Sequence, residues 1–363
     1  MVKIIDCNKE EFQRRTKDKR IFLFGAGTRA QMYYKYFSME DKVEAIIDND
    51  VKIQNTQWRV SEKVGIIGIK DFVELVRQRD VLTLALFITP MYYLMDIIDQ
   101  VNDCPELENM DCYIGNMVIS HYTKKEFSFT MGEQKIPKKI HYCWFGKTEI
   151  PEKLQEYMKS WKKYCPDYEI IRWDESNYDV KKNKYMYQAY QNEKWGFVPD
   201  YARLDIIYNE GGIYLDTDVE ILANIDHLLN DEMFCGAVSD LGINLGLGFG
   251  AVKNNRLIKE CRDAYDNVLF YKEDGSLNLV PCVAYQNASL EKNGFKICNE
   301  YQKIENCVVY PSEVLSPTMN GESSAFTNKT VSIHHSAKSW ISDDEKKGWN
   351  KMLEFMKSSK CLN

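Results

Sequence analysis

The stretch WGFVPDYARLDIIYNEGGIYLDTDVEIL, residues 195–222, decides the fold of this chain. Pro199 suits the first turn of a helix, and Gly211 and Gly212 suit its end, so the pattern predicts a helix over 199–210. After the glycines, apolar and polar residues alternate, which is the pattern of a β-strand. A helix that leads directly into a buried strand is typical of an α/β domain.

Four charged side chains in this stretch are candidates for chemistry. Asp200 and Arg203, three positions apart, share one face of the predicted helix. Strand alternation places Asp216 and Asp218 on one side of the predicted strand, together with Tyr214. Paired carboxylates at the end of a buried strand are costly unless a hard cation such as Mg²⁺ or Mn²⁺ compensates them. An Asp-x-Asp triplet alone is also a common solvated strand end, so the preceding helix carries much of this interpretation.

The sequence on either side continues the alternation of strands and helices. Downstream of Pro137 the pattern predicts a strand at 138–146, a helix around 151–164 and a strand at 168–173. Upstream it predicts a βαβ unit that begins at Arg20, and then more strands and helices up to about residue 101. We therefore predict an α/β protein with a small Rossmann-like domain at 1–130 and a second domain at 136–363, joined by a linker at 121–137.

The first domain contains a glycine turn that is similar to a dinucleotide-binding motif. FGAGTRA, residues 24–30, supplies Gly25, Gly27 and Ala30 after a strand, and Asp48 ends the next strand. This spacing permits NAD binding. Because no hydride-transfer apparatus follows in the sequence, we do not expect NAD and predict a docking or oligomerising role for the domain.

Composition excludes several classes of protein. The chain has 363 residues and a net charge of -7, which does not favour nucleic acid as a partner. Its 11 cysteines form no CxxC pair, which indicates reduced thiols and neither a zinc site nor a disulfide framework. The first residues, MVKIIDCNKEEFQRR, do not read as a signal peptide, and the apolar stretch 81–95 is short for a membrane helix. A cytoplasmic location is therefore expected.

Four spaced segments resemble glycosyltransferase family 32. They are IPKKIHYCWFG (136–146), SWKKYCPDYEIIRWDESNYD (160–179), FVPDYARLDIIYNEGGIYLDTDVE (197–220) and VSIHHSAKSW (331–340). That family groups bacterial capsule enzymes with fungal mannosyltransferases and is distantly similar to the glucosylating domains of large clostridial toxins. The resemblance implies a GT-A-type fold, a nucleotide-diphosphate-sugar donor, Mn²⁺ or Mg²⁺, and transfer with retention of configuration.

The resemblance also implies roles for the charged residues named above. Asp200 and Arg203 match a pair that contacts the donor sugar and diphosphate. Asp216 matches the first motif carboxylate, near ribose, sugar and metal, and Asp218 matches the direct metal ligand. Trp144 matches an aromatic residue that packs against the donor base, with a core tryptophan as the alternative.

Other positions are assigned by the same likeness. Tyr214 would touch the nucleoside, and Asn244 would approach the sugar, although both residues also suit simple packing. Trp340 would cap the diphosphate. In the preceding pair, alternation points His334 and His335 in opposite directions, so at most one of them faces the site; we expect His335 to complete the metal shell.

The expected function is the transfer of a sugar from a nucleotide-sugar donor to a saccharide acceptor in cell-surface polysaccharide synthesis. A uridine donor is favoured and GDP-mannose is second. A lipid-linked acceptor is expected, which would give weak peripheral association with the inner face of the cell membrane. Three alternatives stay open: an NAD-dependent oxidoreductase of nucleotide sugars, a metal-dependent phosphohydrolase or nucleotidyltransferase, and a non-catalytic scaffold.

Overall fold

The computed structural model describes residues 1–120, 125–238, 242–317, 326–336 and 343–360. The chain divides into two compact units. The first unit combines Met1–Thr123 with Ile341–Asn363, and the second unit is Lys124–Trp340. Across the described residues, no helix combines the length and the apolar composition that crossing a membrane requires.

Strands and helices alternate along both units, as the sequence predicts. In the described residues the strands are β1 Lys3–Ile4, β2 Arg20–Phe24, β3 Val43–Ile47, β4 Gln57–Trp58, β5 Ser61–Ile67, β6 Leu84–Ile88, β7 Asp111–Ile114, β8 Lys139–Cys143, β9 Glu169–Trp173, β10 Gly212–Tyr214, β11 Val219–Ile221, β12 Met233–Gly236, β13 Phe249–Ala251, β14 Gln302–Ile304, β15 Cys307–Tyr310 and β16 Ser332–His334. The helices are α1 Lys9–Arg15, α2 Thr28–Tyr36, α3 Ile69–Arg77, α4 Leu94–Asn102, α5 Gly115–Ser120, α6 Glu152–Tyr164, α7 Lys184–Gln191, α8 Pro199–Glu210, α9 Arg256–Asp263, α10 Cys282–Glu291, α11 Ser312–Leu315 and α12 Asp343–Lys360.

The sheet of the first unit has the strand order β1-β7-β6-β2-β3-β5-β4 in the described residues. Its strand pairs are parallel except for β4 with β5. The central strands β2 and β6 are almost continuously apolar and buried, as expected where helices cover both faces of a parallel sheet. The predicted βαβ unit and the α/β class of this region are confirmed.

The C-terminal helix α12 differs from the predicted domain organisation, which assigned all of 136–363 to the second domain. Met352 is 1% exposed within the core of the first unit, and Trp349, Leu353 and Phe355 pack against the same core. These side chains recur at helical spacing, so they form an apolar stripe that α4 and its neighbours bury. The predicted end of the second domain is therefore corrected: α12 belongs to the first unit.

The second unit is built on a sheet with the order β14-β15-β12-β13-β10-β8-β9 in the described residues. Strand β10 pairs in parallel with β8 and antiparallel with β13. Side chains alternate between two cores: Tyr214 contributes to one, and Ile213 and Leu215 contribute to the other. This sheet confirms the α/β class of the second unit.

Helix α8 has the predicted bounds and is buried along most of its length. It ends at Gly211, whose φ of +68° favours glycine, and a Cβ there would lie 2.9 Å from the backbone nitrogen of Lys253. His141 in β8 holds the same point, because its Nε2 lies 2.9 Å from the Gly211 carbonyl oxygen. Trp173 donates to Nδ1 of His141 at 3.1 Å, so Nε2 carries the proton and donates to Gly211.

The predicted strand after Gly212 is interrupted. The chain leaves the large sheet after Tyr214, turns at 217–218, and enters β11, which pairs antiparallel with β16 in a separate two-stranded sheet. The prediction of one continuous strand is therefore wrong. The turn places Asp216 and Asp218 between two sheets rather than along one strand edge.

Candidate active site

Three potential metal ligands converge at the turn between β10 and β11. The turn carries Asp216 and Asp218, and β16 brings His334 beside them by pairing it with Val219. His334 Nε2 lies 3.2 Å from Asp218 Oδ1 and 4.0 Å from Asp216 Oδ2. Ligand atoms of the three side chains all lie within 4.8 Å of one another. Two sequence-distant segments thus form one cluster.

This cluster fits a hard or borderline divalent cation. Its donors are carboxylate oxygens and one imidazole nitrogen, a set that Mg²⁺ and Mn²⁺ accept. The side chains are mostly buried, with 27% of Asp216, 14% of Asp218 and 12% of His334 exposed. Two carboxylates held this close repel each other and raise the free energy of the fold, and a bound cation removes that cost.

Arg203 joins this cluster to the start of helix α8. Its Nη2 donates to Asp200 Oδ1 at 2.9 Å, and its Nε donates to the Pro199 carbonyl at 3.0 Å. Nη1 lies 3.7 Å from Asp216 Oδ2, and the guanidinium lies 5.3 Å from the centre of the Tyr214 ring. The guanidinium is therefore fixed in orientation, with its charge directed at Asp216.

Burial dominates the electrostatics of this group. It raises the pKa of Asp200 to about 7, although Arg203 opposes the shift. Burial also raises the pKa of Asp216, and the nearby Asp218 charge adds to that effect. Burial lowers the pKa of Arg203, but the charges of Asp216, Tyr214 and Asp200 outweigh it, so the net shift is upward and the guanidinium stays charged.

His334 titrates under two opposing influences. Burial lowers the pKa of its imidazole, whereas the charge of Asp218, its hydrogen bond to Asp218 and the charge of Asp216 raise it. The net shift is upward. Without a cation, the two carboxylates therefore make protonation of this imidazole easier than in water.

His335 does not face Asp216 and Asp218. The expectation that it would complete the metal shell is corrected in favour of His334. The His335 ring stacks on Tyr157 of α6 at a centroid distance of 3.8 Å, and its Nε2 lies 2.8 Å from Glu220 Oε2. Its backbone nitrogen donates to the Asp218 carbonyl at 2.9 Å. Alternation along β16 does point the two histidines apart, as predicted, but the register assigns the inner position to His334.

The segment 242–248 approaches the cluster from another direction. Asn244 Oδ1 accepts a hydrogen bond from the Gly246 backbone at 2.8 Å, which forms a tight turn. A Cβ on Gly246 would lie 2.6 Å from Asp216 Oδ2 and 3.0 Å from Arg203 Nη1. The backbone at Gly246 can therefore reach the charged pair only because it carries no side chain.

Helix α10 anchors this segment, and the sequence alone does not reveal it. Asn287 Oδ1 accepts from the Ile243 backbone at 2.8 Å, and Gln286 Oε1 accepts from the Leu245 backbone at 3.2 Å. The glycine-rich run was a signal that the backbone there packs closely against a neighbour. Nothing in the local sequence pairs it with a helix about forty residues later.

The carboxyl end of β8 carries the other predicted donor contact. Trp144 is half-buried, and its indole nitrogen donates to the Thr148 carbonyl at 2.8 Å. Nearby, the Gly146 backbone donates to Glu175 Oε1 at 2.7 Å. A cavity of about 490 Å³ opens here, lined by Lys147, Glu175, Ser176, Asn177, Tyr178, Asp179, Val180 and Tyr190. Trp340 lies outside the described residues.

In the first unit, residues of the predicted dinucleotide motif make hydrogen bonds within the fold. Asp48 Oδ2 accepts a hydrogen bond from the Ala26 backbone at 2.8 Å, and Trp58 donates to the Ala26 carbonyl at 3.2 Å. At Gly25, where φ is +97°, a Cβ would lie 2.7 Å from the Pro90 ring. The glycine turn is thus present as predicted, and its acidic residue braces the turn.

Comparisons with known proteins locate the same region. Residues 151–235 match the family described as "Glycosyltransferase sugar-binding region containing DXD motif". Inositol phosphoceramide mannosyltransferase 3 of Schizosaccharomyces pombe is 38% identical over 119 residues, which is 31% of this chain and 33% of that protein. Mannosyl phosphorylinositol ceramide synthase SUR1 of Saccharomyces cerevisiae is 34% identical over 116 residues, 31% of this chain and 30% of that protein.

A bacterial relative shows a similar match. Subversion of eukaryotic traffic protein A of Legionella pneumophila is 27% identical over 169 residues, which is 37% of this chain and 26% of that protein. The chain thus spans a third or less of the length of these relatives. The matched residues include Asp200, Arg203, Asp216 and Asp218, which confirms the resemblance drawn from the sequence. Residues 151–235 of the second unit therefore match a sugar-binding region of glycosyltransferases that contains the DXD motif.

Proposed function

We propose that the second unit transfers a hexose from a nucleotide-diphosphate sugar to a hydroxyl of a saccharide acceptor, with a divalent cation at Asp216, Asp218 and His334. The observation that carries this proposal is the convergence of those three side chains from the β10–β11 turn and β16, with Arg203 3.7 Å from Asp216. Such a site suits a leaving group that gains negative charge, as a diphosphate does.

The chain's own residues would orient the donor and stabilise charge. Arg203 is held by Asp200 and by the Pro199 carbonyl, so its remaining guanidinium edge is positioned for diphosphate oxygens at little cost in side-chain entropy. Asp200 would accept from a sugar hydroxyl. Bound Mn²⁺ or Mg²⁺ would supply Lewis-acid stabilisation of the departing diphosphate.

The proposed stereochemical course is retention within a GT-A-type fold. The bond from the anomeric carbon to the diphosphate oxygen breaks, and a bond to the acceptor oxygen forms on the same face of the sugar. The acceptor hydroxyl proton passes to the leaving diphosphate oxygen, so the reaction balances without a protein base. Catalysis would rest on positioning and charge stabilisation by Arg203, Asp216 and Asp218.

A uridine donor is our first choice and GDP-mannose is the second. The half-buried Trp144 and the 490 Å³ cavity at the carboxyl ends of β8 and β9 offer an aromatic surface and a recess for the base. For the acceptor we propose a lipid-linked saccharide of cell-surface polysaccharide synthesis, with weak peripheral membrane association at the cytoplasmic face. One relative is named as an inositol phosphoceramide mannosyltransferase and another as a mannosyl phosphorylinositol ceramide synthase, and both names support a lipid-borne acceptor.

For the first unit we propose a docking or oligomerising role. Its Asp48 carboxylate is engaged by the Ala26 backbone, and α12 contacts Tyr92 and Asn116, which follow the carboxyl ends of β6 and β7. In parallel sheets, dinucleotides bind at that edge. Calorimetric titration with NAD tests this proposal, since tight binding would favour the oxidoreductase alternative instead.

A donor panel tests the proposed transferase. The purified chain is incubated with Mn²⁺ and UDP-glucose, UDP-galactose, UDP-N-acetylglucosamine or GDP-mannose, and nucleotide release is measured with and without EDTA. We expect EDTA-sensitive release from at least one donor, and loss of that release in Asp218→Ala. Exposed Lys351→Ala serves as the control variant.

The outcomes separate the competing functions. Release that EDTA does not affect, or full turnover by a folded Asp218→Ala protein, would contradict the proposal. Free sugar phosphate as the product would support the phosphohydrolase alternative, because a transferase breaks the bond at the anomeric carbon and releases the nucleoside diphosphate intact.

A further inference from the structure

Helix α10 presents two neighbouring amides to the segment that carries Asn244. Asn287 is engaged at both ends: Oδ1 accepts from the Ile243 backbone at 2.8 Å and Nδ2 donates to the Ile243 carbonyl at 3.5 Å. Gln286 is engaged at one end, where Oε1 accepts from the Leu245 backbone at 3.2 Å. Both amides therefore anchor the segment, but only the Gln286 amide has a nitrogen that makes no hydrogen bond to it.

The Nε2 group of Gln286 has no hydrogen-bond partner among the described residues, although the residue is 0% exposed. A buried N–H donor without an acceptor costs folding free energy. Exchanging the amide oxygen and nitrogen does not help, because Oε1 is the acceptor that Leu245 requires. Gln286 thus holds a fixed donor that lacks an acceptor.

Two neighbours of Gln286, one on its own helix and one on the segment that it binds, lie close to the Asp200–Arg203 pair. Cys282 lies four positions earlier on α10, so the two side chains share one helix face. Burial raises the pKa of the Cys282 thiol, and the nearby Asp200 charge raises it further, which places this face of α10 against Asp200. From the other side, Gly246 brings the segment bound to Gln286 against Arg203 and Asp216.

Two tyrosine hydroxyls lie in the same region, and both side chains are 0% exposed. A hydrogen bond from Tyr185 to Asp200 lowers the pKa of that carboxyl, whereas the Tyr265 hydroxyl has no partner among the described residues. Their rings lie 5.1 Å apart, centre to centre. Burial raises the pKa of each, and the Asp200 charge adds to both shifts. Tyr185 therefore already reaches Asp200, whereas the Tyr265 hydroxyl and Gln286 Nε2 lack an acceptor among the described residues.

A sugar hydroxyl would complement this arrangement. A hydroxyl group donates one hydrogen bond and accepts others, so it can donate to the Asp200 carboxylate while it accepts from an amide N–H. A carboxylate-bearing sugar suits the region poorly, because it would place a second anion beside buried Asp200.

We propose that Gln286 is a specificity-determining residue, which donates a hydrogen bond from Nε2 to one hydroxyl of the transferred sugar and so selects a neutral hexose with that hydroxyl free. This inference rests on the proposed transferase function. Asn287, whose amide is fully engaged by Ile243, only anchors the segment 242–248.

The test measures the contribution of each sugar hydroxyl to turnover. Donor hydrolysis is followed with the best donor of the panel and with its 2-, 3-, 4- and 6-deoxy analogues, and kcat/KM is compared for each. The proteins are wild type, Gln286→Leu, Gln286→Glu and the control Asn287→Asp. The glutamate keeps an acceptor for the Leu245 N–H but removes the donor. Thermal unfolding establishes that each variant is folded, and affinity for free nucleoside diphosphate is measured in parallel.

We expect one deoxy analogue to lose about tenfold or more in kcat/KM with wild type, since a site built to pair a hydroxyl rejects its absence. That selective loss should disappear in both Gln286 variants and persist in Asn287→Asp, while nucleoside diphosphate affinity is retained. If the losses at all four positions are unchanged in the Gln286 variants, or if all substrates slow equally, the inference is wrong although the transferase function stands. If wild type turns over none of the donors, the proposed function itself fails.

Discussion

The two adjacent histidines of β16 differ because strand pairing gives them different neighbours. His334 Nε2 lies 3.2 Å from Asp218 Oδ1, and the His334 side chain is 12% exposed. His335 stacks on Tyr157 and pairs with Glu220 nearer the surface. A neutral imidazole in the first position can bind a cation, and one in the second cannot reach it. The register of a short strand thus selects one member of an identical pair.

Replacing each histidine with glutamine tests this difference. We expect His334→Gln to weaken Mn²⁺ binding by at least about tenfold, because it removes a nitrogen ligand from the cluster. His335→Gln should leave Mn²⁺ affinity nearly unchanged, because its ring faces Tyr157 and Glu220. Titration calorimetry with Mn²⁺ measures both. Equal losses in the two variants would contradict the assignment of His334.

His141 makes stability depend on pH. Burial lowers the pKa of its imidazole from 6.5 to about 4, so the folded state keeps it neutral while the unfolded state takes up a proton near pH 6.5. Between these two values the unfolded state binds more protons. The contribution of His141 to stability is therefore complete above pH 6.5 and is lost as the pH falls towards 4, by up to about 3 kcal/mol.

The variant His141→Gln isolates this effect, because glutamine does not titrate and can still donate to the Gly211 carbonyl. Urea unfolding at pH 7.5, 6.0 and 5.0 should show the wild type losing free energy of unfolding relative to the variant as the pH falls. A constant difference between the two proteins across this range would show that His141 titrates normally. Other buried acids titrate in both proteins, so their contributions cancel in the comparison.

At the scale of elements, the site depends on a close approach between the segment 242–248 and the β10–β11 turn. Helix α10 anchors that segment through Gln286 and Asn287, which hold it at Leu245 and Ile243. Gly246 is the point of contact, since any Cβ would lie 2.6 Å from Asp216 Oδ2. The segment 242–248 and the β10–β11 turn cannot move apart without breaking hydrogen bonds to α10 or β16.

We therefore expect Gly246→Ala to displace Asp216 or Arg203 and to lower donor kcat/KM by about tenfold or more, which corresponds to about 1.4 kcal/mol. The free energy of unfolding should fall by less than it does for a large core truncation, because the added methyl group is small. Steady-state kinetics and urea unfolding measure the two quantities. Gly27→Ala is the control, since a Cβ at Gly27 has nothing within 4 Å. Equal activities for the two variants would count against a tight contact at Gly246.

At the scale of the whole molecule, the chain returns at its end to the unit with which it began. Met352 of α12 is 1% exposed in the core of the first unit, where it lies 3.3 Å from the Asn116 amide nitrogen. The second unit, Lys124–Trp340, is thus an insertion between the two segments of the first. A substitution that destabilises α12 should therefore also destabilise residues 1–120.

Met352→Ala tests this organisation. Removing a buried methionine side chain should cost about 2–5 kcal/mol, so amide hydrogen exchange should accelerate in residues 1–120 and stay unchanged in residues 125–336. Exposed Lys351→Ala on the same helix should change stability by less than about 0.5 kcal/mol. Exchange followed by mass spectrometry reports each region separately. Faster exchange confined to the second unit would assign α12 there instead.

Local chemistry made part of this protein predictable from its sequence. Pro199 and the glycines at 211–212 fix the ends of α8 wherever the helix packs, because ring geometry and positive φ act within a few residues. The βαβ unit from Arg20 is predictable for a similar reason, since apolar periodicity and a glycine turn are local signals. The α/β class and the cluster of Asp200, Arg203, Asp216 and Asp218 follow from such patterns together with the family resemblance.

Only the tertiary structure decided the rest, because those features depend on contacts between distant segments. Strand register placed His334 rather than His335 at the carboxylates, and pairing with β16 broke the expected strand after Tyr214. The apolar face of α12 packs against the core of the first unit. Periodicity predicts that such a face exists but does not identify the surface that buries it. In the same way, Gly246 matters because it packs against Asp216 and Arg203, and Gln286 matters because it binds the Leu245 backbone. The linear sequence does not specify these contacts.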